Sequence, residues 1–169
     1  MSNKKKILII QKVHEKGMEL INNHPNYDVE VTDDTSIENL KSKLKDCDGA
    51  SIRIAKLPGE TFEGAKNLKI ISRHGVGYDN IDLKKAKEKD IKIAITANAN
   101  AVTVAEHVMF VLLNIAKRKG LFDKTVRDGN FKDRNKLPKT IEVWKKNFLI
   151  MGFGRIGKAL IKRLSLIHI

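Results

Sequence analysis

The chain reads as an α/β protein built on a parallel sheet with helices on both faces. Three observations predict this class. Short β-branched runs alternate with amphipathic helical stretches over the first hundred residues. Their spacing leaves room for one crossover between successive runs. A fully apolar run near position 150 then leads into a glycine motif and a further helical stretch.

The expected strands are 6–10 (KILII), 28–31, 49–54 (GASIRI), 69–72 (KIIS) and 91–95 (IKIAI). Between them the apolar spacing predicts helices over 14–23, 37–44, a short one near 58–64, and 83–89. Ser36 and Asp82 stand where N-caps belong, and Leu57-Pro58 precedes the short helix. From Val102 to about Lys117 the pattern is apolar nearly all round, so this helix is expected to be buried between layers or lobes. Positions 119–146 are polar, with Gly120, Gly129 and Pro138, and read as a helix fragment followed by a surface excursion. Phe148 to Met151 (FLIM) reads as a strand, and a helix through Lys158–Arg163 follows the glycines.

At 169 residues the chain has enough length for a real core, and 41% hydrophobic against 31% charged residues is an ordinary globular balance. No apolar run approaches the roughly 18 residues of a membrane helix, so no membrane partner is expected. The single cysteine, Cys47, excludes an internal disulfide framework and a multi-cysteine metal site, and no metal ligand is assigned. With only four apolar residues, 7–10, after its basic start, the chain lacks a signal-peptide core, and a cytoplasmic setting is expected. The net charge of +13 comes from 26 Lys and 7 Arg spread along the chain without interleaved aromatics. Nucleic-acid sites favour guanidinium forks and stacking platforms, so this charge reads as a surface that attracts small anions.

Gly152-Phe-Gly-Arg-Ile-Gly157 is a GxGxxG string in the context that gives it meaning, after an apolar run and at a helix start. Gly152 permits the turn, Gly154 lets amides approach a pyrophosphate, and Gly157 allows close helix packing. The helix amino end adds unpaired N–H groups and a positive dipole. An acidic residue about 20 positions on would read the adenosine ribose. None of the 17 residues after Gly152 is Asp or Glu, so that position is expected beyond 169.

Two stretches, LKIISRHGVGYDNID onward to Arg118 and KNFLIMGFGRIGKAL at 146–160, resemble the D-isomer-specific 2-hydroxyacid dehydrogenases, with phosphoglycerate dehydrogenase the nearest in character. The resemblance implies a flavodoxin-like substrate lobe at 1–98. It places at 99–169 the first strand–helix unit of an incomplete Rossmann cofactor lobe, with the active site in the cleft. It implies NAD as cofactor, with NADP not excluded, and interconversion of a D-2-hydroxy acid and a 2-keto acid. The same-family alternative is a glyoxylate or hydroxypyruvate reductase, and the alternative outside catalysis is a nucleotide-binding regulatory module. It also implies a homodimer when full length.

By this resemblance Arg53, Ile54, His74, Val76 and Gly77 face substrate, with the amides of Val76 and Gly77 holding its carboxylate. Val76, Thr103, Gly152, Gly154, Arg155, Ile156 and Gly157 meet the cofactor. From the residues alone, 74–77 reads as a plain strand-to-helix turn, His74 as a solvated loop histidine, and Thr103 as either a cofactor neighbour or a helix-start cap. Glu106-His107 is not an acid–base pair, because adjacent helix residues point about 100° apart. The family's catalytic Arg, Glu and His are expected beyond residue 169, leaving the fragment inactive alone. The ending Leu164–Ile169 (LSLIHI) departs from the family pattern. It equals the translation of CTG TCT CTT ATA CAC ATC, the end of a transposase sequencing adapter, so it is expected to be non-native.

Overall fold

A computed structural model describes residues 4–166. The chain divides into two compact units, Met1–Ala97 and Asn98–Ile169.

In the first unit β1 (Lys5–Ile10), β2 (Tyr27–Thr32), β3 (Gly49–Ile52), β4 (Ile70–Arg73) and β5 (Lys92–Ile95) form one sheet in the order β2-β1-β3-β4-β5. All four pairings are parallel, with Ile7 opposite both Val29 and Gly49, and Ile52 opposite Arg73. This is the flavodoxin-like order, as expected. The helices are α1 (Glu15–Asn22), α2 (Ile37–Leu44) and α3 (Leu83–Glu88), with a 3-10 turn at Gly59–Phe62. Alternate strand residues Leu8, Ile10, Ala50, Ile52 and Ile71 pack with Leu40, Leu44, Phe62 and Ala86 into the main core. Strand alternation sends that set to one face, where α2, the 3-10 turn and α3 cover it.

Several local expectations are revised. β3 ends at Ile52, two residues early, because Ile54 and Ala55 give their amides to a side chain rather than to a neighbouring strand. Ser36 precedes α2 but makes no side-chain cap, and its own N–H is taken by Asp34 Oδ1 at 2.9 Å. Asp82 does cap α3, accepting from the Lys85 amide at 2.9 Å.

In the second unit α4 (Ala101–Lys117), α5 (Lys119–Arg127) and α6 (Arg155–Leu166) are joined by a 3-10 turn at Phe131–Lys136 and irregular chain. Ala105, Leu160 and Leu164 form its core with Val108, Met109, Leu112 and Ile150 around them. The expected strand at 148–151 is absent. A parallel strand needs a hydrogen-bonded neighbour, and no strand exists in this unit among the described residues. Leu149 and Met151 are accordingly 82% and 90% exposed. Nor is α4 buried all round: only Ala105 and Ala116 are, while Phe110 and Ile115 stand 58% and 71% exposed. An all-apolar helix needs partners on every side, and α6 covers only one stripe. Of the ending expected to be non-native, Leu164 is packed in this core, and residues 167–169 lie outside the described residues.

Candidate functional site

In the first unit the candidate substrate residues gather where β3 and β4 end. Parallel strands end at one edge, so Arg53 and His74 leave the sheet side by side, and the His74 amide still reaches the Ile52 carbonyl at 2.8 Å. The chain then turns sharply. Gly75 has φ +152°, its amide returns to the Arg73 carbonyl at 2.8 Å, and its carbonyl accepts from Thr96 at 3.0 Å. That conformation is strained for any residue with a side chain, which gives the first glycine its reason. The amides of Val76 and Gly77 donate to no group among the described residues. Val76 is half-buried and Gly77 exposed, so two N–H groups stand open at the carboxyl edge of a parallel sheet.

The rest of GVGYDNID serves the fold. Asn80 Nδ2 donates to the Ala55 carbonyl at 2.6 Å and the Arg53 carbonyl at 3.4 Å. Ile81 is buried, and Asp82 caps α3. Leu57 bridges to Ile81 through Leu57 N–H to Asn80 O at 2.8 Å and Asp82 N–H to Leu57 O at 3.0 Å. The loops after β3 and β4 are thus one hydrogen-bonded assembly.

Arg53 is exposed and donates to the Lys12 carbonyl at 3.1 Å, while Arg73 donates to the His74 carbonyl. Arg53, Lys56 and His74 give this edge basic, anion-attracting character, and one acidic side chain stands with them: Asp79, whose Oδ1 would lie 3.1 Å from a Cβ at Gly77. Ile54 is 74% exposed and offers only an apolar flank. His74 is exposed and its ring makes no hydrogen bond among the described residues, the arrangement of a solvated loop histidine.

Sequence reasoning missed Gln11 and Asn80. Gln11 Oε1 accepts from the Ile54 and Ala55 amides, both at 2.9 Å. A lone amide side chain beyond a strand resembles any surface residue, so no local signal separates it.

In the second unit Gly152 takes φ +96° and opens the turn before α6. A Cβ at Gly157 would lie 2.6 Å from the Gly152 carbonyl oxygen, whereas one at Gly154 would meet nothing within 4 Å. Gly157 therefore packs against the turn itself rather than against a strand. Lys158 N–H bonds to the Gly154 carbonyl at 2.9 Å as the first helical bond, so the amides of Arg155, Ile156 and Gly157 have no intrahelical partner. An open position at Gly154 beside free first-turn amides fits a pyrophosphate. Arg155 and Ile156 are exposed. Thr103 is exposed on the first turn of α4 and makes no hydrogen bond among the described residues, so it caps nothing. Glu106 pairs with Arg163 at 2.8 Å, and His107 lies 6.0 Å from the Phe110 ring, so each has its own neighbour.

The family model described as D-isomer specific 2-hydroxyacid dehydrogenase, catalytic domain, matches residues 7–159. A glyoxylate reductase of Thermococcus onnurineus is 33% identical over 169 residues, covering 95% of this chain and 50% of the relative. A D-3-phosphoglycerate dehydrogenase of Methanocaldococcus jannaschii is 34% identical over 159 residues, covering 94% of this chain and 30% of the relative. Among solved structures, the NAD-dependent formate dehydrogenase of Staphylococcus aureus in complex with NAD superposes with a TM-score of 0.79 at 25% identity, covering 96% of this chain and 53% of that one. The chain thus spans at most about half the length of these relatives.

Proposed function

The chain belongs to the D-isomer specific 2-hydroxyacid dehydrogenase family, and from that premise we propose that it is part of an NAD(P)-dependent oxidoreductase interconverting a D-2-hydroxy acid and a 2-keto acid. The reading rests on one observation above all: the two unpartnered amides of Val76 and Gly77, on the same sheet edge as the Arg53 side chain. Two N–H donors and a cationic neighbour suit a carboxylate, the group every 2-hydroxy and 2-keto acid carries.

Residues 1–98 are the substrate lobe and 99–169 the opening of the cofactor lobe in this reading. Gly152, Gly154 and the amides of Arg155, Ile156 and Gly157 would hold the pyrophosphate of NAD or NADP, and the open position at Gly154 supports the fit. Bound there, the dinucleotide supplies the hydride donor or acceptor for the carbon next to the carboxylate. The chain's own part is to bind the carboxylate at Val76 and Gly77, to balance its charge with Arg53, and to hold the phosphates at the head of α6. We assign no proton-transfer group among the described residues: Glu106 is bound to Arg163, and His74 has no orienting partner. The reading therefore expects the 169-residue chain to bind ligands without turnover. It also places the full-length protein in a reducing compartment as a homodimer, supported by the exposed apolar side chains Phe110 and Ile115 on α4 and by the unpaired thiol of Cys47.

The test is calorimetric titration of the chain with NAD and NADP, with NADH consumption followed in the presence of hydroxypyruvate and of glyoxylate. Saturable dinucleotide binding without NADH consumption is the expected result. Absence of binding overturns the cofactor assignment, and measurable turnover overturns the assignment of proton transfer to residues outside this chain.

A further inference from the structure

The sheet reverses its direction of growth between β1 and β3, because β2 lies on one side of β1 and β3 through β5 on the other. In open parallel sheets such a reversal opens a crevice between the two carboxyl-end loops, where ligands bind. Gln11 crosses that crevice. Its backbone is left-handed, with φ +67°, an arrangement that is strained for a non-glycine residue. Its own N–H is anchored on the Thr32 carbonyl at 2.8 Å, and its Oε1 takes the Ile54 and Ala55 amides together at 2.9 Å each. From the opposite side Asn80 Nδ2 donates to the carbonyls of Ala55 and Arg53, at 2.6 and 3.4 Å. The Arg53 guanidinium returns across the crevice to the Lys12 carbonyl at 3.1 Å.

This loop makes no turn hydrogen bond of its own: the amides of Ile54 and Ala55 go to Gln11 and nowhere else among the described residues. Its backbone is therefore set by two side-chain amides from distant parts of the sequence. The roles are complementary and not interchangeable. Gln11 acts through an oxygen, since both its partners are donors, and Asn80 through its nitrogen, since both its partners are acceptors.

We propose that Gln11 and Asn80 are positioning residues for ligand binding: they fix the Arg53–Ala55 backbone and, through Asn80, the loop that carries the Val76 and Gly77 amides, so that those amides are held in place for a carboxylate. This rests on the assignment of those two amides to the carboxylate, given above. Strain at Gln11 persists because its side chain and backbone are held at once by β2 and by the loop after β3.

The test uses the isotope-labelled 169-residue chain and its Gln11→Leu, Gln11→Glu and Asn80→Leu variants. Three quantities are read for each: amide hydrogen exchange at Ile54 and Ala55, amide shifts at Val76 and Gly77 on titration with hydroxypyruvate, and the thermal midpoint. In Gln11→Leu, exchange at Ile54 and Ala55 rises at least about tenfold, hydroxypyruvate binds about five- to tenfold more weakly, and the thermal midpoint moves by only a few degrees. Gln11→Glu restores slow exchange, because its carboxylate accepts the same two N–H groups. Asn80→Leu loosens the same loop from the carbonyl side and weakens hydroxypyruvate binding similarly. If Gln11→Leu or Asn80→Leu is folded and binds hydroxypyruvate as tightly as the wild type, the proposal is overturned. If the wild type shows no shift at Val76 and Gly77, the carboxylate assignment fails separately. In that case unchanged exchange at Ile54 in Gln11→Leu overturns the clamp as well.

Discussion

Gly157 stands so close to Gly152 that a Cβ on the first would lie 2.6 Å from the carbonyl oxygen of the second, while nothing comes within 4 Å of the same atom built on Gly154. Two glycines of one motif thus answer to different demands. Alanine at 157 would gain about 1 kcal/mol of helix propensity, and the clash with backbone outweighs it. Gly157→Ala should destabilise the second unit by about 2 kcal/mol and abolish NAD binding, read by circular-dichroism melts and calorimetry. Gly154→Ala should leave the melt unchanged and weaken NAD about tenfold or more. Equal melts for the two variants would refute this division of roles.

Gly75 sits at φ +152°, and a Cβ there would run into the Arg73 guanidinium. The guanidinium is the far end of a flexible side chain and can yield, so the cost is chiefly the backbone's. Gly75→Ala should lower stability by about 1–2 kcal/mol in urea unfolding. It should also displace Arg73 from the His74 carbonyl, moving the amide signals of His74 and Val76.

Cys47 is fully buried, its thiol donates to the Lys43 carbonyl at 3.0 Å, and burial pushes its pKa up to about 11. The thiolate is the reactive form. Ellman's reagent should find no thiol in the native chain at pH 8 and one thiol per chain in denaturant. Rapid labelling of native protein would show that the core around β3 opens.

Asp48 gathers the amino ends of three strands. Its carboxylate accepts from Lys5 Nζ and the Lys6 amide, both at 2.9 Å, and its backbone bonds to both Lys6 and Lys69. The Lys5 hydrogen bond, then the Lys6 amide, hold its pKa below the usual carboxylate value against a raising effect of burial. A depressed folded-state pKa means that its stabilisation is fully present above the unfolded value of about 4 and is lost as pH falls through the folded one. Asp48→Asn should cost about 1 kcal/mol at pH 7 in denaturant unfolding, and the gap to wild type should narrow as pH falls below the unfolded value of about 4.

Glu106 and Arg163 join α4 to α6 through an ion pair whose carboxylate is largely exposed. Such pairs contribute about 0–1 kcal/mol. Leu160, 5% exposed between the same helices, is the stronger tie. Leu160→Ala should cost about 2–4 kcal/mol and Glu106→Gln under 1 kcal/mol in thermal unfolding of the second unit. A larger loss from Glu106→Gln than from Leu160→Ala would overturn this ranking and make the ion pair the stronger tie.

What the sequence determined by itself is what depends on residues close together along the chain. The five parallel strands with their crossovers follow from the alternation of β-branched and helical runs. The Asp82 cap and the open amides after Gly75 follow from residues within a few positions. The GxGxxG turn at a helix start is equally local. Tertiary structure decided what depends on distant partners. The run at 148–151 is as apolar as a strand should be, yet without a neighbour to take its N–H and C=O groups it forms none. α4 is apolar nearly all round, yet only Ala105, against α6, and Ala116, whose carbonyl takes the Ile141 amide, are buried. Gln11 and Asn80 became visible only when the sheet order brought them, 43 and 27 positions away, onto the loop that carries Arg53. Pattern along a chain reports which backbone conformations are favourable, and only packing in three dimensions decides which polar groups and apolar faces find partners.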